Sequence, residues 1–327
     1  MLPWLLTAAI VGGGTPVRWT APADTTRPAR RAHHAMIYDA AHRRVLLTGG
    51  STPIDSGRRF VLFDDLWSFD GSGWRKLGSS GSPSSGRRLA LDTDRGFVVS
   101  YGGYPAAVAA EVRVLEQDQW RTVGQHPTAR LAEPGFVYDR ARRRFVGFGG
   151  GFGRGEASGE TWLLADTTWR RLDQIPSPPP RQAHVMEYDE ARARVVVFGG
   201  MAPSSGNGPP GLLGDVWEFD GTSWTEIRAA GGPGPRASAG ATYDSKRGLV
   251  VIFGGMTQQG MVGDTWAWDG AAWRKLADEG PPARAMGYLA YDQARDRVVM
   301  FGGRRGWPND LDDTWEWDGA RWQQVLP

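Results

Sequence analysis

Short apolar runs, each closed by a Gly pair, punctuate the chain six times, at Gly49-Gly50, Gly102-Gly103, Gly149-Gly150, Gly199-Gly200, Gly254-Gly255 and Gly302-Gly303. The spacings are 53, 47, 50, 55 and 48 residues. Arg194-Val195-Val196-Val197-Phe198 is representative, and a continuous β-branched run bounded by Gly predicts a strand covered on both faces. Upstream of each pair stands Tyr38, Leu91, Tyr138, Tyr188, Tyr243 or Tyr291, followed every time by Asp, and this predicts an earlier strand such as Ala183–Asp189. Downstream comes a segment of variable length and then two positions seven apart: Trp67/Trp74, Arg113/Trp120, Trp162/Trp169, Trp217/Trp224, Trp266/Trp273 and Trp315/Trp322. The first member of each pair sits in an alternating strand, as in Asp264–Trp268, and the second opens a fourth strand. Asp70-Gly71, Asp220-Gly221, Asp269-Gly270 and Asp318-Gly319 lie between those two strands as hairpin turns.

A four-stranded unit of about 50 residues repeated six times predicts an all-β propeller with antiparallel blades. The order Arg…His…Tyr-Asp…Gly-Gly…Asp-x-Trp…Trp resembles the kelch repeat and covers residues 30 to 327. The second repeat departs most, with Leu91 for Tyr, Glu111 for Asp and Arg113 for Trp. Six blades are complete. The stretch Trp19–Arg30 mimics a fourth strand leading into a first, so a seventh blade follows if the N-terminal segment contributes.

Repeated residues are assigned to scaffold first. Eleven of the 16 Trp occupy the two aromatic positions, where they are expected to fill the wedges between blades. The Gly pairs are expected to allow close backbone approach. In such a blade the 1–2 and 3–4 turns share one face, and the 2–3 and 4–1 connections share the other. The 2–3 segments Ser51–Asp64, Gly151–Gly159, Met201–Gly214, Met256–Gly263 and Arg304–Asp312 vary in length, which makes that face the expected binding face. Arg31, Arg130, Arg181, Arg236 and Arg284 stand near strand 1. They either ring the channel mouth, where they would attract an anionic ligand, or pair with Asp65, Glu111, Glu160, Asp215, Asp264 and Asp313 to tie blades together. Trp307 lies inside a variable loop, placed either to stack on a ligand or to anchor the loop.

Composition narrows the chemistry. Thirty-eight basic against 36 acidic residues give +2, no electrostatic case for nucleic acid. Zero Cys removes disulfides, thiolate nucleophiles and Cys-bearing metal sites. Galactose-oxidase-like proteins share the repeat, but the resemblance implies a copper site with a Tyr–Cys crosslink that a Cys-free chain does not build. Residues 1–23 pair an apolar run with Thr20-Ala21-Pro22-Ala23, the shape of a secretory signal peptide, although they are equally suited to an extra outer strand; 24–29 would then be a linker. Export to the periplasm or the exterior is one expectation and a cytoplasmic location the alternative, with no transmembrane span. The expected function is a monomeric, non-catalytic binding scaffold for a protein or glycan. No catalytic, cofactor or metal site is expected. The alternative is a carbohydrate-active enzyme resembling sialic-acid mutarotases.

Overall fold

The computed structural model describes residues 17–18, 26–79, 81–105, 110–128, 131–153, 156–173, 175–204 and 211–326. Six antiparallel sheets follow one another, each ordered 1-2-3-4 from a contiguous stretch of chain. Their first strands are Ala35–Asp39, Arg88–Asp92, Gly135–Asp139, Val185–Asp189, Gly240–Asp244 and Tyr288–Asp292. Each first strand contacts that of the next blade, and Tyr288–Asp292 returns to Ala35–Asp39, so the ring closes with six blades. Among the described residues no helix is long and apolar enough to cross a membrane.

The register within a blade follows the sequence pattern. In the fourth, Val185 faces Phe198, Val195 faces Phe219, and Phe219 faces Trp224. The Asp after each Tyr closes the 1–2 turn: the Asp189 carboxylate accepts the Arg192 N–H at 3.1 Å and is itself buried. That satisfies turn donors which would otherwise face the low-dielectric core. At the other end of strand 2, Gly199 and Gly200 adopt φ of 64° and 102°. A Cβ on Gly199 would stand 2.6 Å from the Arg236 carbonyl oxygen, so both backbone conformation and close approach require Gly there.

The core lies between blades. Val137, Val146, Phe148 and Leu163 of the third blade pack with Met186, Tyr188, Val197, Phe219 and Trp224 of the fourth. Met36, Val45, Trp67 and Trp74 of the first pack with Ala290, Val299 and Phe301 of the sixth, which closes the ring by the same means. The second Trp of a blade reaches back to the third strand of the preceding one. The Trp224, Trp322 and Trp74 indole N–H groups donate to the Thr161, Thr265 and Thr314 hydroxyls at 2.9, 2.8 and 2.9 Å. Where that position holds Leu66 or Val112 instead of Thr, the buried indole nitrogens of Trp120 and Trp169 have no partner.

One expectation changes, and another falls mostly outside the described residues. Residues 1–16 and 19–25, with most of the leader or outer-strand assignment and part of the linker, lie outside the described residues. Val17–Arg18 pair in parallel with Val61–Leu62 of the first blade's 2–3 segment, so they form neither a seventh blade nor an outer strand of one. The variable 2–3 segments are also more regular than loops. Ser51–Ile54 pairs with Arg59–Leu62, and Met256–Thr257 with Gly260–Met261. In the sixth blade strands 2 and 3 extend to Arg297–Gly306 and Asn309–Trp317. Pairing satisfies the backbone of segments that leave the blade, so their length shows as projecting hairpins.

Candidate functional site

The face carrying the 2–3 and 4–1 connections is organised around the propeller axis by backbone. The residue two positions before each first strand adopts left-handed geometry: His33, Glu133, Ala183, Ser238 and Met286 at φ of 55°, 50°, 54°, 54° and 60°, and Gly86 at 72°. Their N–H groups donate to the preceding blade's carbonyl: Gly86 to His33 at 2.7 Å, Glu133 to Gly86 at 3.2 Å, Ala183 to Glu133 at 3.4 Å, Ser238 to Ala183 at 2.8 Å and Met286 to Ser238 at 2.8 Å. Non-Gly residues held there cost about 1–3 kcal/mol each, a strain the blade-to-blade bonds offset.

Its polar side chains interlock. His33 Nδ1 contacts Glu133 Oε1 across the ring, and Arg304 Nε donates to Asp310 Oδ1 at 2.6 Å, with both members of the second pair buried. Burial alone would raise the Glu133 pKa; His33, Arg88 and Arg304 together pull it below the usual carboxylate range. The Asp310 carboxyl, by contrast, is held above that range by burial despite Arg304.

The arginines picked out in the sequence divide. Arg31, Arg181, Arg236 and Arg284 are 0%, 0%, 3% and 1% exposed and do not line the channel mouth. Each grips the aspartate two residues before the first Trp of its own blade with both guanidinium arms: Arg181 reaches Asp215 at 2.7 and 2.7 Å, and Arg284 reaches Asp313 at 2.6 and 2.8 Å. The same arm donates to the first Gly of the pair, as Arg181 Nη1 does to the Gly199 carbonyl at 3.0 Å. The pairs therefore clamp the 4–1 connection to strands 2 and 3 within a blade, and do not tie blades together as expected. The clamped aspartate also accepts the first Trp N–H, from Trp217 to Asp215 at 2.8 Å. Burial opposes ionisation of Asp215, yet the bonds and charge of Arg181 hold its pKa below the ordinary value. Arg130 lies outside the described residues, and the Ala132–Gly151 bridge puts Leu131 at the position equivalent to Arg181, one residue from the expected register.

Trp307 is half-buried between hairpins of the sixth and first blades. Its ring lies 5.5 Å from that of Phe60, and the Arg304 guanidinium sits 4.9 Å over it. It joins neighbouring hairpins into a rim. On the 2–3 segments of the same face Ile54, Phe60, Leu212 and Met261 are half-buried, while Arg58, Arg59 and Arg305 are exposed.

A second feature lies where no repeated residue pointed. Along the axis, between the ring and the 1–2 turns, lies a cavity of about 410 Å³ lined by all six first strands. Its walls mix apolar and polar surface, with Arg88, Glu187, Thr242 and Tyr288 among the polar groups and His184 beside them. Burial beside Arg181 and Arg88 pushes the His184 pKa well below its usual value, so the ring is neutral. Glu187 is pushed up to about 8, chiefly by burial, with Arg88 opposing. Arg88 occupies a register held elsewhere by Ala35, Gly135, Val185, Gly240 and Tyr288, and Glu187 one held by Ile37, Ala90, Val137, Thr242 and Ala290. The signal in the sequence was departure from the repeat on an inner strand.

Comparison with known proteins agrees with this architecture. A family model described as the KLHDC2/KLHL20/DRC7 Kelch-repeats domain matches residues 136–326, more than half of the chain. Dynein regulatory complex subunit 7 of Chlamydomonas reinhardtii is 33% identical over 102 residues, which cover 28% of this chain and 8% of that protein. The matched segment is thus a small part of the relative's length.

Proposed function

The chain belongs to the KLHDC2/KLHL20/DRC7 kelch-repeat family, whose propeller is a protein-interaction scaffold, and from that premise we propose that it contacts its partner through the rim of 2–3 hairpins. The observation that carries this is the side-chain mixture on that rim. Half-buried Trp307, Phe60, Ile54, Leu212 and Met261 and exposed Arg58, Arg59 and Arg305 all belong to the 2–3 segments of that face, and aromatic, Met and Arg side chains are those enriched at protein interfaces. The hairpins project from a rigid ring, so the surface is presented with little ordering cost. Basic residues at the edge favour an acidic contacting segment in the partner. The Chlamydomonas relative is named as a subunit of a complex, which is in keeping with an assembly role.

A rim variant combining Arg58→Glu, Met261→Ala and Arg305→Glu should retain its melting temperature and lose partner capture by at least about tenfold, the equivalent of roughly 1.4 kcal/mol. Arg140→Glu, on the opposite face, should capture normally. Capture unaffected by the rim variant would exclude this surface. A glycan-array signal without protein capture would move the reading to carbohydrate.

A further inference from the structure

The axial cavity is on the opposite side of the backbone ring from the proposed partner rim and plays no part in it. Ala40, Thr93, Arg140, Glu190, Ser245 and Gln293, at the 1–2 turns, line its open end. Its volume of about 410 Å³ falls in the range of small-molecule sites, roughly 300–1,000 Å³, and is too small for a folded partner.

The cation at its inner end is under-used. Arg88 Nη1 donates to the Tyr288 hydroxyl at 2.6 Å, and its guanidinium lies 4.8 Å over the same ring. Among the described residues it makes no ion pair; Glu133 and Glu187 act on it through their fields. A guanidinium has five donors, and those not used on Tyr288 are left for a ligand in this half-open cavity, where lowered solvent screening binds a carboxylate more strongly than bulk water does. Most other buried arginines here are spoken for, as the clamps of Arg31, Arg181, Arg236 and Arg284 show.

Two further groups define what the rest of the ligand must offer. Thr242 Oγ1 accepts the Tyr291 N–H at 3.1 Å, which leaves its own O–H to donate. The Glu187 carboxyl is on the same wall. We propose that this cavity binds a small hydroxylated monocarboxylic acid, with its carboxylate on Arg88 and Tyr288 and its hydroxyls toward Glu187 and Thr242. A single negative charge matches a single unpaired cation, whereas a dianion would leave excess charge beside the ionised Glu133. Because burial keeps Glu187 protonated near pH 7, it both donates and accepts there and does not repel the incoming carboxylate.

Calorimetric titration of the intact chain near pH 7 tests this. The probes are D-glucuronate, D-gluconate and L-lactate, each set against its uncharged counterpart: D-glucose, D-glucitol and 1,2-propanediol. At least one acid should bind with Kd below about 1 mM and at least about tenfold more tightly than its counterpart. Arg88→Met should remove that preference, and Glu187→Gln, nearly isosteric with the protonated carboxyl, should keep it within about threefold. Should Arg88→Met fail to fold, Arg88→Lys takes its place, with a loss of about three- to tenfold because the planar fork is gone. The proposal is overturned if no acid binds, if acid and counterpart bind equally, or if the folded Arg88 variant binds as the parent does.

Discussion

Arg181→Ala should destabilise the protein by about 3–5 kcal/mol, the cost of breaking a buried ion pair from one side. The substitution strands Asp215, which loses bonds at 2.7 and 2.7 Å, and it also takes the donor from the Gly199 carbonyl at the end of strand 2. Asp215→Asn should cost less, since the amide still accepts one bond and still meets Trp217. The pair also carries a pH signature. With the folded Asp215 pKa below its ordinary 3.8, its contribution is fully present above that value and fades as pH falls through the folded one. Urea titrations from about pH 7 down to pH 2 should show the gap between parent and Arg181→Ala closing at the acid end. Partner capture per folded molecule should be unchanged; selective loss of capture with stability intact would return these arginines to the binding face.

The second large effect is expected at the wedges. Trp224→Ala should cost about 3–5 kcal/mol, as for other buried large-to-small changes. Trp224 packs on Phe219 of its own blade, at 5.0 Å between centroids, and on Phe148 of the preceding one, at 5.2 Å. Thr161→Val isolates the hydrogen-bond part and should cost about 1–3 kcal/mol by leaving the indole N–H buried and unpaired. Val112→Thr is the converse: it places a hydroxyl at the register where Trp169 lacks a partner and should gain about 1 kcal/mol. Thermal melts of the three variants check the set. Equal losses at Trp224 and at an exposed position such as Phe97 would show that the wedges do not hold the ring.

What could be read from the sequence was whatever the repeat imposes on every blade. The Gly pairs, Tyr-Asp corners and paired Trp positions fix strand order, six complete blades and the faces on which connections fall, because each answers a steric or hydrogen-bonding demand made six times over; that the ring closes without a seventh blade comes from the contact of Tyr288–Asp292 with Ala35–Asp39. Register beyond those anchors was harder. Arg130 looked equivalent to Arg181, yet the bridge at Ala132 assigns that position to Leu131, a one-residue offset that only backbone pairing reveals. The arginine clamps were half legible: the partners Asp65, Asp215, Asp264 and Asp313 were named correctly, but whether a pair lies within or between blades depends on how the 4–1 connection folds over strand 2. The left-handed ring was hidden because its members, His33, Gly86, Glu133, Ala183, Ser238 and Met286, share a backbone conformation and no chemistry. Arg88 and Glu187 were overlooked for the opposite reason, being unique residues on strands whose repetition drew attention elsewhere.

Backbone hydrogen exchange on the chain with and without its captured partner tests the central claim most directly. Protection should appear in the 2–3 hairpins, at residues 51–62, 256–261 and 304–309, and leave the 1–2 turns at residues 40–43, 140–143 and 293–296 unchanged. Protection confined to those turns would place the partner on the cavity face and contradict the account.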